Sequence, residues 1–405
     1  MDENIKKLSD SDVTAHTAAL WKYVPVPDSP EPYPEYRTSY ENANGTAITA
    51  ARVRGKKHKH EGTNCDDWYE FDTVGSWTVC VVSDGAGSKR FSRIGARISS
   101  EAACAYIKEQ LSALDRSQTE SSLAMPFDKA EFTAVCSKLA EIMRSGFDAA
   151  YSAAEGAYLI RSEDEKFTAD LGRKCDIKDF SATLLAAAVI PLESGETFVI
   201  SVAVGDGMVA AVNADGEFSS ALKLLGNTDK GGFSGETEFL DETKTAEKLY
   251  SNTKIMRGKV SSVMMMTDGV ADDYYPNSPE LLRLYLDLML NGIIDFPTET
   301  YEPESGKAPE PEKYPWVNDS SVEVSLAYSK NILAKNGLTL EELWKKRFGC
   351  LMHKSSLEAF GKKLADDSSD RGERLKVWLD NYSQRGSFDD RTLVLIEPKF
   401  PKGEK

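Results

Sequence analysis

The chain has 405 residues, and its 65 Asp and Glu residues outnumber its 49 Lys and Arg residues, so the formal net charge is −16. The length fits one large domain with additions, or two domains. Because a protein that neutralises nucleic-acid phosphates needs a basic surface, the acidity argues against a nucleic-acid partner. The composition, 41% hydrophobic and 28% charged, is typical of a soluble globular chain.

Motifs that the sequence lacks narrow the compartment and the chemistry. The N-terminus has no apolar centre of the signal-peptide kind, and no apolar run is long enough to span a membrane, so we expect a cytoplasmic protein without a membrane partner. The six cysteines are widely spaced, which argues against a zinc ribbon or a disulfide framework. The absence of H-E-x-x-H, G-x-x-x-x-G-K-[ST] and G-x-S-x-G motifs argues against zinc hydrolases, nucleotide-binding loops and serine hydrolases.

The first third of the chain reads as an extension, a strand and two helices. Residues 1–45 form a polar N-terminal extension with a Pro-rich stretch at 24–36, which we expect to be extended and poorly ordered. The apolar run Trp77–Ser83 stops at an Asp-Gly pair, which predicts a buried strand followed by a turn. Apolar residues at helical spacing over 94–114 and 132–147 predict two amphipathic helices.

A second group of strands follows, with short Gly- and Asp-containing connections that favour antiparallel pairing in a meander. The predicted strands are Ala182–Ile190, Phe198–Val204, Met208–Val212, Val263–Thr267 and Thr392–Ile396. Before the last strand, residues 276–384 form an insertion with a Leu-rich helix at 279–292 and a Pro/Glu-rich loop at 295–316.

Carboxylates at the ends of these strands are the most informative feature. Asp84 and Asp268 each follow a buried apolar run, and Asp67 and Asp389 each lie just ahead of a strand. Converging carboxylates repel one another unless cations lie between them, and Mg²⁺ and Mn²⁺ accept oxygen-only sites of this kind. Gly85 would let a backbone carbonyl approach such an ion.

A single Asp-Gly pair after a strand is more often an ordinary turn. We interpret Asp206 and Asp215 as turns of that sort. The prediction of a metal site therefore depends on the joint pattern and on no single dipeptide.

Taken in order, several segments resemble the metal-dependent serine/threonine protein phosphatases of the type 2C (PPM) family, in the bacterial-type variant. The segments are GKKHKHEGTNCDD (55–67), VVSDGAGSKRFSRIGARISSEAA (81–103), SATLLAAAV (181–189), VAVGDGMVAAV (202–212), GGFSGETEFL (231–240), VMMMTDGVADD (263–273) and SFDDRTLVLI (387–396). The resemblance implies an α+β fold of two packed antiparallel sheets flanked by helix pairs, an α-β-β-α sandwich. It places the phosphatase domain at 46–275 and 385–400, with 276–384 as a helical insertion.

The resemblance also implies roles for the strand-end residues. Asp84 would bridge two ions, Mn²⁺ or Mg²⁺, and Gly85 would donate its carbonyl. Asp67 would serve one ion, and Asp268 and Asp389 the other.

Weaker matches extend this ligand set. Asp66 stands where the family often has Glu or Gln and would hold metal-bound water. Asp272 matches an acid that in some members helps to hold a third, weaker ion. Asp179 is an uncertain partner for that ion, and we interpret both Asp179 and Asp176 as solvated loop carboxylates.

At two positions near the expected phosphate site, this chain differs from the family pattern. Many relatives have an Arg five residues before the first metal aspartate, where this chain has Gly62, and many have a His after the Asp-Gly pair, where it has Ala86. Beside Asp84 and Asp67, the candidate catalytic residues include His58, which would contact phosphate or act as an acid; a surface histidine is the alternative. The nearby basic residues are interpreted as a solvated face; they are Arg52, Arg54, Lys56 and Lys57.

The predicted reaction is hydrolysis of phosphoserine and phosphothreonine in a phosphoprotein by a water that two metal ions activate. Four aspartates neutralise two divalent ions, so a phosphate dianion can approach an acidic protein. The alternative is a pseudophosphatase that binds proteins without catalysis, with the insertion at 276–384 as its docking surface. A two-metal nuclease is a third reading, which the acidity opposes.

Overall fold

In a computed structural model of the chain, the described residues are 22–26, 28–124, 128–169, 171–226, 237–294, 329, 331–339, 370–381 and 388–400. The Pro/Glu-rich loop and most of the predicted insertion lie outside these residues. None of the helices that the structure describes is both long enough and apolar enough to cross a membrane.

Eleven strands in the described ranges form two antiparallel sheets. The six-stranded sheet has the order β1-β2-β11-β10-β7-β8, and the five-stranded sheet has the order β3-β4-β5-β6-β9. The strands are β1 Tyr36–Ala43, β2 Thr46–Val53, β3 Trp68–Val74, β4 Trp77–Ser83, β5 Leu184–Pro191, β6 Thr197–Val204, β7 Met208–Val212, β8 Leu222–Leu224, β9 Thr253–Gly258, β10 Ser262–Met266 and β11 Arg391–Pro398.

Eight α-helices accompany the sheets in the described part of the chain. They are α1 Lys56–Glu61, α2 Ser92–Ser112, α3 Arg116–Leu123, α4 Lys129–Ser162, α5 Glu165–Thr168, α6 Asp268–Ala271, α7 Asn277–Leu290 and α8 Arg371–Asn381. The two predicted amphipathic helices are α2 and α4, and Asp128 caps α4 by accepting the backbone N–H groups of Ala130 and Glu131.

The sheets pack face to face, and a helical layer covers each outer face. Cys80 and Val82 of β4 point into the space between the sheets, while Val79 and Val81 point outward to the α2–α4 layer. Both faces of β4 are therefore buried, which explains why its sequence is apolar throughout. The predicted α-β-β-α sandwich is confirmed.

The second helical layer comes from α7 and α8, which lie in the segment predicted to be an insertion. Leu281 and Leu284 of α7 belong to the same core cluster as Val53, Met264 and the fully buried Trp378 of α8. These helices thus cover the outer face of the six-stranded sheet. At the other end of the chain, β1 lies within the predicted extension and pairs with β2 over its whole length.

The predicted meander through β5, β6 and β7 is wrong at its second connection. β6 pairs with β5 and β9, whereas β7 pairs with β10 and β8 in the other sheet. Residues 205–207 therefore cross between the sheets instead of closing a hairpin. Gly205 has φ of +114°, and a Cβ there would lie 2.5 Å from the Thr183 side chain, so this corner requires glycine.

If α8 is part of the sandwich core, truncating its buried face must destabilise the whole domain. We expect Leu375→Ala, at a fully buried position of α8, to lower the free energy of unfolding by about 2–5 kcal/mol. The matched change Leu159→Ala, on a residue of α4 that is 58% exposed, should stay within about 0.5 kcal/mol. Urea unfolding followed by circular dichroism measures both, and equal effects would contradict this packing.

Candidate metal centre

The strand pairing brings the predicted carboxylates to one edge of both sheets. Trp68 at the start of β3 pairs with Ser83 at the end of β4, and the end of β6 pairs with the start of β5. In the other sheet the end of β10 pairs with the starts of β7 and β11, through Met266. Residues that follow β4, β6 and β10, or precede β3 and β11, therefore meet at the same edge.

A first group at this edge joins Asp84, Asp206 and Asp268, whose nearest carboxylate oxygens lie within 4.8 Å of one another. Asp206 is held there by the Thr237 hydroxyl, which donates to its Oδ2 at 2.6 Å. The interpretation of Asp206 as a turn residue only is incomplete. It does lie in a turn, but it also fits the pattern that singled out Asp84 and Asp268, since only Gly205 separates it from an apolar strand and Gly207 follows it.

Asp67 lies behind this group and is fully buried. Its Oδ2 accepts hydrogen bonds from the hydroxyls of Thr267 at 2.9 Å and Thr392 at 2.6 Å. Its Oδ1 is buried and has no hydrogen-bond partner among the described residues. A buried carboxylate oxygen without a partner is costly unless a cation binds it.

A second group joins His58, Asp389 and Asp390. Asp390 is buried, and its carboxylate accepts the backbone N–H of Gly55 at 2.5 Å, that of Asp66 at 2.5 Å, and a bond with His58 Nδ1 at 2.9 Å. Asp390 therefore ties α1 and the Asp66–Asp67 loop to the start of β11. Sequence reasoning missed this residue; its position beside Asp389 was visible, but its three partners were not.

Electrostatics follow from this crowding. Burial and the neighbouring carboxylates raise the pKa of Asp67 and Asp66 to about 8 and that of Asp268 to about 7, and they raise the pKa of Asp84 well above its ordinary value. Divalent cations would relieve this repulsion and satisfy the orphaned Asp67 oxygen. The donor set, carboxylates throughout, fits Mg²⁺ or Mn²⁺.

His58 and Asp390 differ from these acids because they form a pair of opposite charges. Burial alone would lower the pKa of His58, but Asp390 raises it to about 9. Burial alone would raise the pKa of Asp390, but His58 and two backbone N–H donors lower it below its ordinary value. The alternative of a surface histidine is therefore wrong, because His58 is 4% exposed.

Two glycines allow the close approach of the segments that carry these acids. A Cβ on Gly85 would lie 2.8 Å from the Asp66 carbonyl oxygen, and one on Gly269 would overlap the Asp390 carbonyl oxygen. Larger residues at either position would push the acid-bearing segments apart. The Asp-Gly pairs after β4 and β10 thus serve packing as well as the turn.

Several other predicted residues have different surroundings from those expected. Asp272 is exposed and lies in neither group, although its charge contributes to the raised pKa of Asp268. The interpretation of Asp179 as a solvated carboxylate is wrong, because it is 1% exposed and paired with Arg173. Asp176 is exposed, as interpreted, and its backbone N–H donates to Asp179 Oδ2 at 2.9 Å.

The predicted basic solvated face is wrong for its two arginines, which are fully buried. Arg54 pairs with Glu35 at 2.7 Å and donates to the His58 carbonyl at 2.7 Å. Arg52 donates to the Asp67 carbonyl at 3.2 Å. Both residues support the loops beside the metal centre. The segments that bury them are distant in sequence, so the local sequence pattern does not predict their burial.

A cleft of about 460 Å³ opens beside the second group. His58 and Asp66 lie on its lining, together with Gly62, where relatives have Arg. A Cβ on Gly62 would lie 2.6 Å from Val24 Cγ1, so the N-terminal segment occupies the space that a side chain there would need. Ala86, where relatives have His, is 6% exposed and donates its backbone N–H to the Ser181 carbonyl at 3.0 Å.

The comparisons with known proteins agree with this architecture. A family model described as protein phosphatase 2C matches residues 54–293, more than half of the chain. The chain therefore belongs to the protein phosphatase 2C family, whose members are metal-dependent protein serine/threonine phosphatases. No curated protein sequence matches the chain.

Solved structures with a similar fold include phosphatases from Staphylococcus aureus and Toxoplasma gondii. A serine/threonine phosphatase, Stp1, from Staphylococcus aureus is 9% identical with a TM-score of 0.35, and the match covers 93% of this chain and 98% of that one. A serine-threonine phosphatase 2C from Toxoplasma gondii is 10% identical with a TM-score of 0.39, covering 91% and 100%.

The raised carboxylate pKa values predict how metal-free protein responds to pH. The folded state holds protons that the unfolded chain has lost above its ordinary pKa of 3.8, so the stability from these groups falls as pH rises from about 4 to 8. Asp84→Asn removes one repelling charge. We expect the metal-free variant to melt above the metal-free wild type at pH 8, with a smaller difference at pH 5.5.

Differential scanning calorimetry with and without Mn²⁺ checks this prediction. Added Mn²⁺ should raise the melting temperature of the wild type more at pH 8 than at pH 5.5, because protons and metal compete for the same oxygens. It should hardly stabilise Asp84→Asn. A variant that is less stable than metal-free wild type at pH 8 would contradict the proposed repulsion.

A further prediction concerns the support that Asp390 gives to the acids. Asp390→Asn keeps one oxygen acceptor but loses the charge that pairs with His58, and changes behind metal ligands typically cost 10–100-fold in affinity. We expect Mn²⁺ affinity, measured by isothermal titration calorimetry, to fall by roughly that factor. Asp380→Asn is the matched control, since Asp380 is 41% exposed at its side chain and pairs with Lys59. Equal effects of the two changes would contradict the role of Asp390.

Proposed function

We propose that this chain hydrolyses phosphoserine and phosphothreonine in proteins with the help of two bound Mn²⁺ or Mg²⁺ ions. The observation that carries the proposal is the convergence of carboxylates from five separate segments at one sheet edge, where the buried Asp67 Oδ1 has no hydrogen-bond partner among the described residues. Divalent ions bound in such a centre would suit phosphate hydrolysis, because they would offset the negative charge on the phosphate and on the attacking water.

Each ligand has a proposed place. Asp84 would lie between the two ions, with the Gly85 carbonyl beside it. Asp67 would serve one ion, and Asp268 and Asp389 the other. A third, weaker ion would be held by Asp206 in place of Asp179, since Asp206 lies within reach of Asp268 whereas Asp179 is bound to Arg173.

When bound, the ions supply Lewis-acid polarisation of the phosphate and a more acidic water. The chain itself orients the acids around them. Thr267 and Thr392 fix Asp67 by donating to one of its oxygens, which leaves the other oxygen for a cation. Asp390 fixes the loop of Asp66 through a backbone hydrogen bond. Asp66 would bind a water of the metal's shell.

His58 is the proposed proton donor to the leaving oxygen. Its Nδ1 is engaged by Asp390, and its Nε2 lies 4.0 Å from the Asp66 carboxylate on the lining of the cleft. A histidine held by a carboxylate on one nitrogen presents a defined N–H on the other. The favourable charge pair keeps that N–H in place while the serine or threonine oxygen leaves.

Many relatives hold the phosphate with an Arg that this chain lacks. We propose that basic residues just before α2 hold it here. Lys89 and Arg90 lie on the lining of the same cleft as Gly62 and His58. Their positive charge favours a phosphate dianion near the inner end of the cleft. The predicted cytoplasmic location stays a prediction. The pseudophosphatase alternative has the missing arginine in its favour and the complete set of aspartates against it.

Manganese-dependent hydrolysis tests the proposal directly. We expect phosphothreonine and phosphoserine peptides to be cleaved well and a phosphotyrosine peptide poorly, measured by phosphate release with and without Mn²⁺. Asp84→Asn should lower kcat/KM by about 10²–10⁴-fold, because metal polarisation is worth several kcal/mol. Asp215→Asn changes an exposed Asp-Gly turn outside the carboxylate groups and is the matched control. A wild-type chain that binds Mn²⁺ without hydrolysing any of the three peptides would support the pseudophosphatase instead.

A further inference from the structure

The cleft beside the metal centre is bounded on one side by a segment that precedes the sheets. We call residues 22–26 and 28–35 the N-terminal strap. Its Asp28, Ser29 and Pro30 lie on the lining of the cleft, next to the end of α1. The strap is part of the Pro-rich stretch that was expected to be poorly ordered. Its many contacts with the domain contradict that expectation.

The strap is fastened at both of its ends. Near its start, the Val24 N–H donates to the Lys59 carbonyl at 2.7 Å, and Arg54 donates to the Val24 carbonyl at 2.8 Å. Farther along, the buried Arg93 of α2 donates to the carbonyls of Pro30 at 2.6 Å and Glu31 at 3.2 Å. A wall held by this many hydrogen bonds to buried groups is a fixed surface that a substrate must fit.

The lining of the cleft carries charges of both signs. Asp28 of the strap and Glu61 at the end of α1 are exposed, and Lys89 and Arg90, just before α2, also lie on the lining. The side-chain carboxylates of Asp28 and Glu61 have no hydrogen bond or ion pair to another residue that the structure describes. These two carboxylates add nothing to the fold through such bonds, which leaves them available to a ligand.

The position of the phosphate fixes the direction of a substrate in this cleft. If the phosphoester of the substrate is hydrolysed at the metal centre, its phosphate lies near His58, Asp66 and the basic residues just before α2. The neighbouring residues of the same polypeptide then extend along the strap and pass Asp28 and Glu61. A lysine or arginine on that polypeptide would meet two exposed carboxylates that have room for it.

We propose that the cleft binds the polypeptide on one side of the phosphorylated residue, and that Asp28 and Glu61 select substrates with Lys or Arg there. This inference rests on the proposed function, which sets where the phosphate lies. It makes the N-terminal strap a specificity element of the phosphatase.

Binding can be separated from hydrolysis with non-hydrolysable peptides. Two fluorescent peptides carry a phosphonate in place of the phosphate and differ only in their flanking residues, Arg in one and Glu in the other. Fluorescence anisotropy with the Mn²⁺-loaded chain measures their Kd values. Because the pairs are partly exposed, we expect the Arg peptide to bind roughly tenfold more tightly at low salt, with the preference shrinking as salt is added.

Charge reversal then locates the preference. The double variant Asp28→Lys/Glu61→Lys should lose the preference for Arg or invert it, while Glu193→Lys, an exposed residue in the turn between β5 and β6, should keep it. Equal Kd values of the two peptides for the wild type would overturn the inference. So would a preference that the double variant retains.

Hydrolysis of an aryl phosphate, which has no flanking residues, is measured in parallel on the wild type. Its absence would overturn the proposed function, whereas equal binding of the two peptides beside normal aryl phosphate hydrolysis would overturn only the role of the cleft. The two failures are therefore distinguishable. The double variant also reports through hydrolysis, since its kcat/KM for an Arg phosphopeptide should fall relative to that for the aryl phosphate.

Discussion

The rest of this structure depends on the mutual repulsion among carboxylates at one sheet edge. Asp67 is buried, Asp84 and Asp268 are held close to Asp206, and burial raises the pKa of each of the first three above its ordinary value. Such an arrangement costs stability in the metal-free chain, because charges in a poorly hydrated site repel one another. Proteins keep such groups when bound cations offset the repulsion, and here the oxygens suit hard divalent ions.

The rigid sandwich holds the acids together against this repulsion. Antiparallel ladders in both sheets fix the ends of β4, β6, β10 and β11 against one another, and helical layers bury the outer faces. Closer to the acids, Asp390 joins α1, the Asp66–Asp67 loop and β11 through three hydrogen bonds. A site of this kind is held in place by groups that never need to touch a substrate.

Sequence reasoning identified what local patterns encode. Asp84 and Asp268 were found because an acid that ends an apolar run is visible in a few residues, and the order of motifs then indicated the family and the sandwich. Asp206 was undervalued because its importance depends on β7 leaving the sheet of β6, which the short connection does not reveal. The burial of Arg54 depends on Glu35 and Val24, and that of α8 on a sheet far away in the chain. Long-range packing of this sort has no signature in a short window of sequence.

The number of ions that the chain binds tests the account most directly. Metal-free protein can be titrated with Mn²⁺ at pH 7.5 and examined by native mass spectrometry, for the wild type and for Asp84→Asn. The account predicts that the wild type binds at least two Mn²⁺ ions per chain and that Asp84→Asn, which lacks the carboxylate between them, loses both at the same Mn²⁺ concentration. A wild type that binds no Mn²⁺, or an Asp84→Asn variant that binds as many ions as the wild type, would contradict it.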